Sequence, residues 1–253
     1  MIERRAALLR YIQARWEVST RQLFGQFPDY TPKTVRRYLA HWEQAGAILR
    51  SHGKARVNPQ YLFQLETRYS EREEANAQIK DKLSAAAVGL LGECHSLFID
   101  SGTTMMALAR RLPDKNLTIL TAAPNIALAI AAGSPQCSVL LTGGGLNPKT
   151  LSCSGYGSAE LVKLINLEVA FMATSGFSIA GGFTVGEHFE CDLKRMVIAR
   201  AERVILVMDR SKVVVSMPFT FARPGEIDVL VCDGLDAETE NHLLSKGVEI
   251  IKS

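Results

Sequence analysis

An aspartate, a glycine and three hydroxyl residues stand in a row at Asp100-Ser101-Gly102-Thr103-Thr104, between an apolar run with strand character and one with helical character. At such a junction the first backbone N–H groups of the helix have no intrahelical acceptor, so amides and hydroxyls together can surround a phosphate. Without a ligand the same residues form a capped strand-to-helix turn. Gly143-Gly144-Gly145 follows another apolar run, where glycines permit positive φ or the close approach of a backbone; a plain glycine turn explains them equally well. The Lys-Ser/Thr pair of a Walker loop is absent after them. Asp209-Arg210-Ser211-Lys212 lies past the run Val204–Val207, and Glu190 with Lys194-Arg195 lies at the start of a helical segment. If Lys194 and Lys212 converge on the Ser101–Thr104 loop, they supply the positive charge a sugar phosphate requires; apart, they are surface charges.

A second constellation is cationic. Residues 1–57 hold 11 Lys+Arg against 4 Asp+Glu, leaving 18 against 22 for the remainder, so a small basic module precedes a slightly acidic body. Thr31-Pro32 fits a threonine N-cap with proline at the first helical position. In the helix that follows, Val35, Tyr38, Leu39 and Trp42 share one face, Lys33 and Arg37 point the opposite way, and Thr34, Arg36 and His41 flank them. A basic helix of this kind fits the major groove of B-DNA, with Lys33 and Arg37 addressing guanine edges. Arg36, Arg50, His52, Lys54 and Arg56 are better placed for phosphates. A solvated basic face is the plainer explanation, but the caps, the helix spacing and the hairpin favour DNA binding.

The elements that must hold these residues follow from local signals. Helices over about 3–15, from a Ser19-Thr20-Arg21-Gln22 capping box to about Phe27, and from Thr31 to near Gly46 precede a hairpin over Ile48–Val57. That is a winged helix-turn-helix over residues 1–57. A charge-dense linker is expected over 58–75. From residue 76 to 253, apolar β-rich runs alternate with helical ones, which implies a largely parallel sheet covered on both faces, with ligands at the carboxyl ends of its strands.

Several classes are excluded or disfavoured. Five cysteines without a Cys-x-x-Cys pair, and five histidines without metal spacing, argue against a disulfide framework or zinc site, so neither a metal nor a cofactor is expected. Met1-Ile2-Glu3-Arg4-Arg5 lacks a signal-peptide core, and the most apolar window, Leu117–Gly133, is broken by Pro124 and Asn125; no membrane association and a cytoplasmic location are expected.

Across nearly its whole length the sequence resembles the DeoR-type family of bacterial transcriptional regulators. The matching pieces are Thr34-Val35-Arg36-Arg37-Tyr38-Leu39 and Leu49-Arg50-Ser51-His52-Gly53-Lys54-Ala55, then Asp100–Thr104, Gly143–Gly145, Ala170-Phe171 through Gly176, Glu190 through Lys194-Arg195, and Asp209 through Lys212. The resemblance implies an N-terminal winged helix-turn-helix followed by a larger α/β domain like ribose-5-phosphate isomerase and CoA-transferase folds. It implies a repressor of a carbohydrate catabolic operon, with a phosphorylated sugar effector bound at these positions, Ser175 and Gly176 included. One recognition helix covers a half-site, so a homo-oligomer, dimer or tetramer, is expected on a double-stranded operator. Two other functions compete: an aldose-ketose isomerase using Glu190 or Asp209 as base with Lys212, and a constitutive DNA-binding protein with a degenerate pocket. The fused winged helix, and the lack of an acidic base at the Ser175-Gly176-Phe177-Ser178 turn, weigh against the enzyme.

Overall fold

The computed structural model describes residues 2–58, 69–155 and 157–253. Its N-terminal part is built of α1 (Ile2–Arg15), β1 (Glu17–Ser19), α2 (Thr20–Gln26), α3 (Pro32–Gln44), β2 (Ile48–Ser51) and β3 (Lys54–Val57). Ser19 closes a capping box with Gln22, each side chain accepting from the other's backbone N–H, and Thr31 caps α3 through Thr34 N at 3.2 Å. The hairpin is one strand richer than the sequence predicts: β1 pairs antiparallel with β3, giving a sheet in the order β1-β3-β2. With only Val18 buried, a three-residue strand has no periodicity to announce it. Leu8, Ile12, Leu23, Val35, Leu39 and Ile48 fill the core beneath, joined by Met217 from far along the chain.

Within the segment expected to be a linker, residues 69–74 form a helix, α4 (Tyr69–Glu74), and Tyr69 is buried in the core of the next domain; residues 59–68 lie outside the described ones. Asn76 turns the chain in a left-handed conformation into α5 (Ala77–Val88).

Seven parallel strands then form one sheet. They are β4 (Ser96–Ile99), β5 (Thr118–Thr121), β6 (Ser138–Leu141), β9 (Leu167–Ala173), β12 (Ala201–Met208), β14 (Val229–Cys232) and β15 (Glu249–Lys252), in the spatial order β15-β14-β12-β9-β4-β5-β6. Alternation splits each strand between two cores. Leu97, Ile99, Phe171 and Ile205 face α5, α6 (Thr103–Ala109) and α7 (Pro124–Gly133). Phe98, Ala170, Met172 and Leu206 face α8 (Ser158–Leu164), α9 (His188–Arg200) and α10 (Ala237–Ser245). The chain runs outward from β4 to β6, then returns to β9 on the other side of β4, so the order reverses between β4 and β9. In open parallel sheets that reversal opens a crevice at the carboxyl ends.

Two small antiparallel sheets complete the domain: the hairpin β7 (Gly145–Asn147) with β8 (Ser152–Ser154), and β10 (Gly176–Ser178), β11 (Gly182–Val185) and β13 (Phe219–Ala222). The second corrects the turn expected at Ser175–Ser178. There the Phe177 ring packs at a tilt against Phe183, its partner across the hairpin on β11.

Candidate functional site

The neighbouring strands β4, β9 and β12 end at Ile99, Ala173 and Met208, and the residues that follow them surround a cavity of about 190 Å³. Ser101–Thr104 comes from the first, Thr174 and Ser175 from the second, Asp209, Ser211 and Lys212 from the third. Arg72, Asn76 and Lys80 close it from α4, α5 and the turn between them.

A buried ion pair ties the strand ends together. Lys194, on α9, donates to the Asp100 carboxylate and, at 3.1 Å, to the Ala173 carbonyl, while Glu190 lies 3.4 Å away. Asp100 accepts in addition from Ser101 N at 2.8 Å and Ala173 N at 2.9 Å. Burial by itself pushes the Lys194 ammonium down, but Asp100 and Glu190 outweigh it and hold its pKa above the usual lysine value. Lys194 is therefore held as an ammonium and committed to Asp100. Lys194 belongs to the frame of the cavity more than to its supply of positive charge.

That supply sits on the opposite wall. Lys80 is buried, and its ammonium donates to the Arg72 carbonyl and, at 2.5 Å, to that of Ala75. Burial lowers its pKa most; the Asp209 carboxylate opposes this, Lys212 and Arg72 lower it further, and Glu73 opposes them. Three cationic side chains thus crowd one small space, which an anion would relieve. Facing them, α6 begins at Gly102, whose φ of +104° suits glycine and whose position carries no side-chain cap. The first amides of α6 remain available to an acceptor. Asp209 is buried and accepts from Ser211 N at 2.9 Å.

Of the residues singled out in the sequence, Ser101, Gly102, Thr103 and Thr104 meet Ser175, Glu190, Lys194, Asp209 and Lys212 around this cavity. Asp100 stands behind the wall, holding Lys194. Gly143, Gly144 and Gly145 do not line it, which corrects the expectation from the glycine run. A Cβ on Gly144 would stand 2.5 Å from Ser158 Oγ and 2.6 Å from the Ser154 carbonyl oxygen, so the close approach there is to β8 and α8. Gly176 is also outside: its carbonyl accepts from the Thr174 and Thr184 hydroxyls at 2.7 and 3.0 Å. Sequence reasoning missed Arg72, Asn76, Lys80, Thr150, Thr174 and Ser211. Thr174 and Ser211 sit beside residues it chose; the others come from elements whose folding over the sheet has no local signal.

On the N-terminal domain, Lys33, Arg36 and Arg37 are exposed along α3, Thr34 is half-buried, and His52 and Arg56 are exposed on the hairpin. Arg50 and Lys54 are paired with local carboxylates, Glu43 at 3.1 Å and Glu17 at 2.6 Å. Among the described residues no helix is long and apolar enough to cross a membrane, and no group of His, Cys, Asp and Glu could hold a metal ion.

Residues 4–61 match the family model described as the DeoR-like helix-turn-helix domain, and residues 75–234 match the DeoR C-terminal sensor domain. The class is that of a DNA-binding transcription regulator carrying its own sensor domain. The chain is 33% identical over 223 residues to the HTH-type transcriptional regulator GlpR of Haloferax volcanii, covering 88% of this chain and 86% of that one. It is 26% identical over 211 residues to the glycerol-3-phosphate regulon repressor of Escherichia coli K12, covering 83% and 82%. Among solved structures, ribose 5-phosphate isomerase A of Methanocaldococcus jannaschii is similar with a TM-score of 0.41 and 13% identity over 55% of each chain. The chain belongs to the DeoR family of transcriptional regulators, as the sequence resemblance implies.

Proposed function

We propose that this regulator represses an operon of carbohydrate catabolism and that a small phosphorylated sugar or polyol, bound in the strand-end cavity, changes its affinity for the operator. The observation that carries the reading is the crowding of Arg72, Lys80 and Lys212 opposite the Ser101–Thr104 loop. The phosphate is assigned to the Gly102, Thr103 and Thr104 amides, the Ser101 and Thr103 hydroxyls and the Lys212 ammonium. At about 190 Å³ the cavity is smaller than the roughly 300–1,000 Å³ of drug-sized sites, which suits a single phosphorylated polyol. The E. coli relative named for a glycerol-3-phosphate regulon points to the same ligand class.

Operator DNA is assigned to α3 and the hairpin: base edges to Lys33 and Arg37, with Thr34 beside them, and phosphates to Arg36, Arg50, His52, Lys54 and Arg56. Two half-sites call for a homo-oligomer acting in the cytoplasm. A catalytic role is disfavoured by the carboxylates themselves. An isomerase needs one that can accept a carbon-bound proton, whereas Asp100 and Glu190 face Lys194 and Asp209 is engaged by Ser211. The test is fluorescence anisotropy on duplexes from the DNA flanking the gene, with and without a panel of sugar and polyol phosphates. One phosphorylated compound should shift the binding curve, and its unphosphorylated parent should not. Equal action of the parent, or turnover of the compound, rejects the reading.

A further inference from the structure

Asn76 stands at the N-cap position of α5, yet its side chain makes no cap bond. Asparagine is among the best N-capping residues, so the backbone must be what prevents it. A cap needs an extended conformation, whereas a φ of 56° and a ψ of 29° put Asn76 in the left-handed region. Its amide, exposed on the wall of the strand-end cavity, has no hydrogen-bond partner among the described residues. The same residue lines a second, more open groove of about 610 Å³ beside the ends of β12 and β14. The cavity and the groove share Asn76, Asp209 and Ser211, which therefore form a common rim. Asp209 is buried, and the Ser211 amide and hydroxyl both donate to its Oδ1, which leaves Oδ2 as an acceptor at that rim. Past the rim the surface changes character. Ile79, Val213 and Leu235 make it apolar, and its charges are Asp209, Asp233 and Asp236 against Arg210 alone. Arg210 is already turned to Asp233, its backbone N–H donating to that carboxylate at 2.6 Å.

We propose that the effector is a pentose or hexose monophosphate whose carbon chain leaves the phosphate at Ser101–Thr104, crosses this rim and lies in the groove, with Asn76 and Asp209 holding its hydroxyl groups. This rests on reading the strand-end cavity as the phosphate site. The chemistry of the rim and groove selects the rest of the ligand. The Asn76 amide presents donors and an acceptor together, Asp209 Oδ2 presents an acceptor, and a hydroxyl group can answer either. The C–H faces of a sugar suit Ile79, Val213 and Leu235, as expected of a site that is largely apolar with a few placed polar groups. A second phosphate is a poor match, because three carboxylates repel it and the one cation of the groove is engaged. Glycerol phosphate has too few carbons to fill both spaces. The composite site thus specifies a monophosphate with a hydroxylated far end, against a bisphosphate and against a three-carbon chain.

The experiment is calorimetry on the full chain with inorganic phosphate, glycerol phosphate, a panel of pentose and hexose monophosphates, and a sugar bisphosphate. The parent protein, Asn76→Gly and Asp233→Asn are compared. The parent should bind one pentose or hexose monophosphate more tightly than glycerol phosphate, inorganic phosphate and the bisphosphate. Asn76→Gly should weaken that monophosphate about three- to tenfold and leave inorganic phosphate unchanged, the loss expected for one neutral hydrogen bond. Glycine adopts the left-handed backbone of Asn76 readily, so a parental melting temperature confirms that the fold is kept. Asp233→Asn keeps an oxygen for the Arg210 N–H and removes one repelling charge, so it should narrow the gap between bisphosphate and monophosphate about two- to fivefold. Glycerol phosphate binding as tightly as every sugar phosphate, or unchanged discrimination in both variants, overturns the groove and leaves the phosphate site standing. Failure of the parent to bind any phosphate compound overturns both.

Discussion

Lys212 and Met217 lie on one short loop, the first in the wall of the strand-end cavity and the second buried in the core of the winged-helix domain. Val215 packs on that same core, and Met217 N is held by the Thr184 hydroxyl at 2.9 Å. Between them Val214 adopts a left-handed φ of 64°, which costs a β-branched residue on the order of 1–3 kcal/mol. The loop is anchored at both ends and strained in the middle, so a shift of Lys212 toward a ligand reaches the DNA-binding domain directly. Met217→Ala should leave effector affinity within about twofold, since no cavity group is altered, while the change in operator affinity caused by effector shrinks by about fivefold or more. Operator titrations with and without saturating effector measure this. An undiminished response sinks the coupling role.

The Asp100–Lys194 pair predicts a thermodynamic asymmetry. Lys194→Met leaves a buried carboxylate with its main countercharge gone and should cost about 3–5 kcal/mol in urea unfolding. Asp100→Asn combined with Lys194→Met should recover part of that loss, because the amide needs no countercharge and keeps one oxygen for the Ser101 or Ala173 N–H. A double variant no more stable than the single one would show that the pair itself, and not the stranded charge, holds the strand ends.

What could be read from the sequence was whatever nearest-neighbour chemistry determines. The Ser19–Gln22 box and the Thr31-Pro32 cap are local and appear where their residues stand. That Ser101–Thr104, Asp209 and Lys212 would be neighbours around one cavity was legible because parallel strands bring their carboxyl ends together whatever the details of register. Lys80 and Arg72 were not, since nothing in a charge-dense segment before the first sheet strand says that it folds back over the strand ends. Gly143–Gly145 misled for a related reason: glycine reports that something comes close without reporting what, and here it is Ser154 and Ser158. The strands β10 and β11 were hidden because Phe177 and Phe183 find each other only across a hairpin rich in small residues.

On the face assigned to DNA, two acids hold two of the cations proposed for phosphates. Glu17 holds Lys54 and Glu43 holds Arg50, both pairs well exposed to solvent. Exposed pairs of this kind contribute little to folding, so Glu17→Gln and Glu43→Gln should leave the unfolding midpoint nearly unchanged. Each should tighten DNA binding and steepen its salt dependence, by up to about 0.9 in the log–log slope for each cation released to a phosphate. Arg37→Ala, by contrast, should relax base preference, whereas Arg56→Ala should weaken all sequences alike. Salt titrations on specific and scrambled duplexes separate the effects. Acid variants with parental slopes would place the hairpin away from the backbone.

The last expectation concerns pH. Burial, then Lys212 and Arg72, depress the Lys80 pKa below the ordinary lysine value of 10.5. Between its folded and unfolded values the unfolded chain binds more protons, so this residue makes the free protein more stable as pH rises through that interval. Ligand binding has the opposite sign. A phosphate beside Lys80 favours the ammonium and raises its pKa, so binding takes up protons in the alkaline range and affinity falls as pH climbs through the folded value. On the acid side, affinity should rise as the ligand phosphate loses its second proton near pH ~6. Affinity should therefore peak between the two. Lys80→Met should weaken binding and flatten the alkaline limb while leaving the acid limb in place. Calorimetry in buffers of different ionisation enthalpy reads the proton uptake directly; uptake equal in the parent and in Lys80→Met would assign the alkaline limb to another group.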